Sequence, residues 1–237
     1  MSLSVSTMSS TKFSTILLFI LLLTFLFHTL ATGSSSTTFT IVNSCNITVY
    51  PGIFYAAGTS STTTGFSLHS GKSKVLTMPH SCSGNLWGRT NCFNNSKGMF
   101  HCRTGDCASS TMECNGRDAS QPATLAKFNL NVKSNRVDYF SVTVEKGYNL
   151  PMKVQPRVGK DIGDCMTTSC MVHLNKTCPL ELKVMSERQC IGCKSPCQPL
   201  SKNCYSELTK ACPQNATSVC ASTDYLIEFC PTSTRCV

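Results

Sequence analysis

Residues 98–114, GMFHCRTGDCASSTMEC, place Cys102, Cys107 and Cys114 within seventeen positions, threaded with Gly98, Gly105 and Asp106. Cys92 stands just upstream. Spacings this short force tight turns. Gly105 suits a backbone with φ > 0, and Asp106 can accept from nearby amides. Such a segment has little to bury, so it holds a shape only if its cysteines are oxidised to one another. A metal knuckle is the rival reading, but no Cys-x2-Cys pair with a partner pair occurs. No metal or cofactor is expected.

The N-terminus sets the compartment. Lys12 supplies a positive start, residues 16–27 (ILLFILLLTFLF) form an apolar run, and Ala31 and Gly33 offer small residues for cleavage near Ser34. The run spans 12 residues, and a membrane helix needs about 20. Residues 1–33 therefore read as a secretory signal, and the mature chain is expected outside the cell, in the apoplast or cell wall. All 17 cysteines follow the signal. An odd count leaves at least one thiol unpaired within the molecule. A monomer is expected, with a disulfide-linked dimer as the alternative through that thiol.

Removing Lys12 leaves 20 basic residues against 12 acidic ones, a net +8 with histidines neutral. Such a surface attracts polyanionic walls or membrane faces, less so as salt rises. The plainer reading is that the charge aids solubility. No basic helix or aromatic-interleaved RNA motif points to nucleic acid. Four N-glycosylation sequons begin at Asn46, Asn94, Asn175 and Asn215.

Strand-period alternation is clear in three places. Lys127–Lys133 alternates without a break, with Phe128, Leu130 and Val132 inward. Tyr139–Lys146 points Phe140, Val142 and Val144 inward, and Asp224–Cys230 does the same with Tyr225, Ile227 and Phe229. Residues 38–50 hold two shorter runs, Phe39 with Ile41 and Ile47 with Val49. Residues 51–74 read as a loop or weak hairpin, and Asn149-Leu150-Pro151 as the end of a strand run. From Cys165 onward cysteines recur every few residues with little periodicity, and Tyr205–Ala211 reads as two turns of helix. One-sided alternation implies an antiparallel sheet, half buried and half wet. The fold class is mainly β, a sandwich with two small disulfide-rich excursions.

The chain resembles the thaumatin-like proteins, the plant pathogenesis-related group 5 family. The resemblance rests on TFTIVNSCNITVY at 38–50, LWGRTNC at 86–92, CRTGDC at 102–107, TLAKFNLN at 124–131, GYNLPM at 147–152, GCKSPC at 192–197 and EFCP at 228–231. It departs where the family places a glycine shortly after TGDC; residues 108–111 here are Ala-Ser-Ser-Thr. The resemblance implies a thaumatin-like antiparallel β-sandwich. The core would be built from 34–90, 121–171 and 213–237, with a hairpin subdomain at 91–120 and a cysteine-rich subdomain at 172–212. It also implies the pairs Cys45–Cys230, Cys92–Cys102, Cys107–Cys114, Cys165–Cys220, Cys170–Cys212, Cys178–Cys193 and Cys197–Cys204. In the chain-entropy model the first closes a loop worth about 4–5 kcal/mol. Cys82, Cys190 and Cys236 have no family counterpart; two of the three can pair, leaving one free thiol. Cys190-Ile-Gly-Cys193 has redox spacing but is read as scaffold.

Many members carry an acidic cleft of one Arg, one Glu and three Asp, tied to antifungal action and to binding or weakly cleaving β-1,3-glucan. Asn85, Lys127, Ser141 and Lys146 occupy four of those positions here. The fifth falls in the shortened stretch before Cys220, where residues 213–219 contain no acid. The expectation is a wall that carries two ammonium groups and no carboxylate, or, more plainly, two solvated strand-edge lysines. Hydrolysis needs two carboxyl groups flanking the bond. Glu145 is the one acid near these positions in sequence, and no Ser-His-Asp or Cys-His set replaces the pair. The implied function is a secreted, non-enzymatic defence protein that binds carbohydrate, wall or membrane surfaces. A β-1,3-glucan-binding or glucanase protein and a structural or signalling protein with a protein partner are the alternatives.

Overall fold

The computed structural model describes residues 36–57, 63–79, 81–132, 137–196 and 217–231, together with Phe19 and Cys212. Twelve strands are described: β1 (Thr37–Asn43), β2 (Tyr50–Ala57), β3 (Ser73–Met78), β4 (Ser83–Asn94), β5 (Phe100–Thr104), β6 (Ala123–Val132), β7 (Val137–Lys146), β8 (Met152–Gly163), β9 (Thr168–Cys170), β10 (Lys183–Ser186), β11 (Gln189–Cys193) and β12 (Ser218–Phe229).

Alternation sends Phe39 and Ile41 of β1, Phe128 and Leu130 of β6, Phe140, Val142 and Val144 of β7, and Tyr225, Ile227 and Phe229 of β12 into one core. Edge-on aromatic contacts join its elements: Phe39 meets Phe128 at 5.3 Å, and Phe140 meets Tyr225 at 5.1 Å. One layer runs β2-β4-β6-β7, and the path continues through β12 to β1 and β3. β12 serves both layers. Ser218–Cys220 pair with β7, and Asp224–Phe229 lie between β1 and β8.

Not every pair is antiparallel. β1 and β12 run parallel from Thr38↔Asp224 to Asn43↔Phe229, so both strands finish side by side. The Cys45–Cys230 bond sits at that shared end. Two long strands, β2 and β8, escaped the sequence reading, as did the short β9, β10 and β11. β2 contains Pro51 and Gly52, which look like loop residues. Gly52 lies opposite Trp87, and a Cβ there would sit 2.6 Å from the indole; Pro51 is tolerated because β2 begins the strand path. β8 contains Pro156, which sits opposite Tyr225 beside a register shift that absorbs it. Ile47 is not paired with Val49 on an inner face: residues 45–47 bend, and Ile47 is exposed while Val49 is buried. The alternation of β6 breaks at Asn131, whose φ of 57° and register shift mark a bulge. Lys133 lies outside the described residues.

The hairpin β4–β5 carries the disulfide-dense segment. Cys92 and Cys102 face one another across it and are bonded, and Cys107 is bonded to Cys114. Gly105 has φ +67°, and Asp106 accepts from the Cys102 and Ala108 amides at 3.0 and 2.7 Å. Ala108 and Ser110, where the family glycine is missing, adopt φ of 53° and 62°. The segment folds back over the outer face of the β4–β6 layer. Trp87, Cys107, Cys114, Ala119, Ala123 and Leu125 form a second buried cluster there, and the Trp87 indole donates to the Gly105 carbonyl at 2.7 Å. Arg89 is fully buried beneath it. Its guanidinium donates to the carbonyls of Tyr50, Pro51 and Met112 at 2.9, 3.2 and 2.7 Å.

The cysteine-rich part has two single 3-10 turns, Leu174–Lys176 and Leu180–Leu182, and the hairpin β10–β11. Leu174, Cys178 and Cys193 belong to the same buried cluster as Tyr148, so the described residues of this part share the main core. Cys165 is bonded to Cys220, Cys170 to Cys212 and Cys178 to Cys193. Cys82 and Cys190 are free, so they do not pair with each other. Cys197, Cys204, Cys236, Asn215 and the helix expected at Tyr205–Ala211 lie outside the described residues.

Candidate functional site

The outer face of β4, β6 and β7 is covered by the 105–120 segment at one end and open at the other. On the open part, side chains in register form two rows. Asn85, Lys127 and Ser141 lie opposite one another, as do Ser83, Asn129 and Tyr139. The three strand positions expected at the family cleft therefore stand side by side, because period-2 alternation puts all three on the outward face. With Ala56 and Thr217 these side chains line an open groove of about 430 Å³. Thr217 comes from the stretch before Cys220 where no acid occurs.

Lys146 lies at the end of β7, beside the covering segment. Its ammonium donates to Asp118 at 2.6 Å and to the Ala119 carbonyl at 2.9 Å. The Asn85 amide donates to both oxygens of the same carboxylate at 3.1 Å. Lys127 donates to both oxygens of Glu145 at 3.0 and 3.1 Å. The expectation of two ammonium groups without a carboxylate is thus corrected. Two lysines meet two carboxylates, and the local charge cancels. Asp118 was missed because it sits in an aperiodic loop, brought to the sheet by the Cys107–Cys114 bond and the packing on Trp87.

Partly exposed pairs of this kind add only about 0–1 kcal/mol each to stability. Their effect on recognition is larger. An incoming anion meets lysines whose charge is already offset by Asp118 or Glu145. What the groove offers directly is neutral chemistry: the amides of Asn85 and Asn129, the hydroxyls of Ser83, Ser141 and Thr217, and the ring of Tyr139, which is 38% exposed. Amides and hydroxyls both donate and accept, as sugar hydroxyls require, and an exposed ring packs against a pyranose face.

A family model described as the Thaumatin family matches residues 43–233. The chain belongs to the thaumatin family. A thaumatin-like protein 1 from Arabidopsis thaliana is 38% identical to it over 92% of this chain and 95% of that one. A protein named glucan endo-1,3-beta-glucosidase from Prunus avium is 38% identical over 81% of this thaumatin-family chain and 77% of its own length. Among solved structures, a thaumatin-like xylanase inhibitor covers 81% of this chain and 99% of its own at 24% identity and a TM-score of 0.48.

Proposed function

We propose that this protein is a secreted, non-catalytic defence protein of the pathogenesis-related type that binds neutral cell-wall glycan on the open face of β4, β6 and β7. The observation that carries this reading is the local cancellation of charge at the cleft positions. Lys127 and Lys146 are engaged by Glu145 and Asp118, while amides, hydroxyls and the Tyr139 ring face the groove. The mature net charge of +8 then acts as a diffuse surface property, not as a local anion site.

Catalysis is disfavoured by the same contacts. Glycoside hydrolysis needs one carboxyl group free to deliver a proton and a second free to act as base or nucleophile. Asp118 and Glu145 are instead both acceptors in ion pairs. A second reading, weak glucan hydrolysis, is favoured by the presence of those two carboxylates beside the groove and by the name of the Prunus avium relative. The two readings separate in one assay on insoluble β-1,3-glucan. Binding without reducing-end release supports the first. Release that is abolished by Asp118→Asn or Glu145→Gln supports the second.

A further inference from the structure

On the hairpin, away from the groove already described, a second concave surface of about 530 Å³ is lined by Tyr50, Phe93, Phe100, Met112 and Asn94. Its lining sets the apolar Phe93, Phe100 and Met112 beside the polar Asn94, Ser110 and Thr111. Phe93 is 47% exposed and Met112 39%, and the Tyr50 and Phe100 rings meet at a tilt of 59° with centroids 5.3 Å apart. Rings and a thioether beside amide and hydroxyl groups match a sugar, which has an apolar face and a rim of hydroxyls.

Asn94 forms one wall, and it opens the sequon Asn94-Asn95-Ser96. In the β4–β5 ladder Asn94 lies directly opposite Phe100. Opposed residues hold their Cβ atoms about 4.5–5.5 Å apart on one face of the sheet. A group attached to the Asn94 amide nitrogen therefore starts beside the Phe100 ring. The turn that follows is fixed: Asn95 accepts from the Lys97 and Met99 amides at 3.0 Å, and Gly98 takes φ +76°. Asn94 and Ser96 are both exposed on it. Asn175 contrasts with this. Its amide is partly buried and donates to the Asn149 carbonyl at 3.0 Å, so the nitrogen that a sugar would join is turned toward the chain.

We infer that Asn94 is N-glycosylated and that the glycan's first sugars lie in the Tyr50–Phe100–Met112 groove, with their apolar faces on the rings. In the secretory pathway the Asn94 amide nitrogen attacks the anomeric carbon of a polyprenyl-diphosphate-linked oligosaccharide. The C–N bond forms, the C–O bond to the diphosphate breaks, the lipid diphosphate leaves and the nitrogen loses one proton. The occupant is the chain's own glycan; a free wall polysaccharide on the same groove is an alternative that the test separates.

The test uses the full chain, secreted from a eukaryotic host, as wild type and as Ser96→Ala, which removes the sequon at an exposed turn residue. Peptide mass spectrometry reads Asn94 occupancy and the rate at which peroxide oxidises Met112, with the exposed Met166 and Met185 as internal references. The expected result is glycan on Asn94 and Met112 oxidation slowed at least about threefold relative to Ser96→Ala, with both references unchanged. An unmodified Asn94, or equal Met112 rates in the two proteins, overturns the inference. Met112 that oxidises equally fast in both proteins until soluble β-glucan is added would assign the groove to free polysaccharide and overturn it too.

Discussion

Arg89→Met tests the part of the fold that holds the disulfide-dense segment to the sheet. Arg89 is 0% exposed, and its guanidinium reaches three backbone carbonyls from two separate stretches, Tyr50 and Pro51 on β2 and Met112 on the covering segment. Hydrogen bonds to a charged donor contribute about 2 kcal/mol each, so three give about 6 kcal/mol. Burying the guanidinium works against this. Burial pulls it well below its ordinary value, to about 10, with Asp106 and Glu113 opposing, a fall equivalent to about 3 kcal/mol. The difference leaves Arg89→Met about 3 kcal/mol less stable, or about 6–12 °C lower in Tm for a domain of this size. Lysine should not rescue, because one ammonium cannot span carbonyls on both stretches. Guanidinium unfolding with disulfides intact measures the loss, and hydrogen exchange should show 105–120 opening before β6 and β7. A variant within 1 kcal/mol of wild type, or exchange rising uniformly, would refute the reasoning.

Three further outcomes follow from single residues. Ala108 holds φ 53° without a glycine's freedom, so Ala108→Gly should raise stability by about 1 kcal/mol in denaturant melts; a loss would mean the turn is not strained. Burial alone would raise the Glu113 pKa, but hydrogen bonds from Thr63 and Thr64 outweigh it and leave it lowered. The stability it contributes is present above the unfolded value of about 4.3 and is lost as pH falls through the lower folded value, and Glu113→Gln should flatten that limb of an acid titration. Burial pushes the Cys82 thiol up to about 11, whereas Cys190 is half-buried on a hairpin strand. Native alkylation should therefore label Cys190 and reach Cys82 only after unfolding, and early labelling of Cys82 would contradict its burial.

The strands that alternate on a plain polar-apolar pattern were legible in the sequence: Phe128 and Leu130, then Phe140 to Val144, then Tyr225 to Phe229. What hid β2 and β8 was Pro and Gly in places where the fold gives them a reason: an indole packed on Gly52, and a register shift at Pro156. The parallel pairing of β1 with β12 leaves no local mark, since it depends on where two strands 186 residues apart are brought together. The cleft positions Asn85, Lys127 and Ser141 could be aligned from motifs, and the outward alternation of Lys127 and Ser141 was readable. Their charge state was not. It is decided by Asp118, a loop residue whose approach to Lys146 depends on a disulfide and on Trp87. Tyr139 was visible as a strand residue but gave no sign of the groove it borders.

The central claim is that the open sheet face binds a neutral glycan and that its lysines do not act as free cations. The most direct measurement is retention on insoluble β-1,3-glucan at low and high salt, for wild type, Tyr139→Ala and Lys127→Ala. The account predicts that wild type is retained at both salts and that Tyr139→Ala loses retention while its fold is unchanged. Lys127→Ala should keep salt-independent retention, because its charge is already spent on Glu145. Retention that disappears at high salt and falls with Lys127→Ala, with Tyr139→Ala unaffected, would contradict it and return the lysines to the role of an anion site.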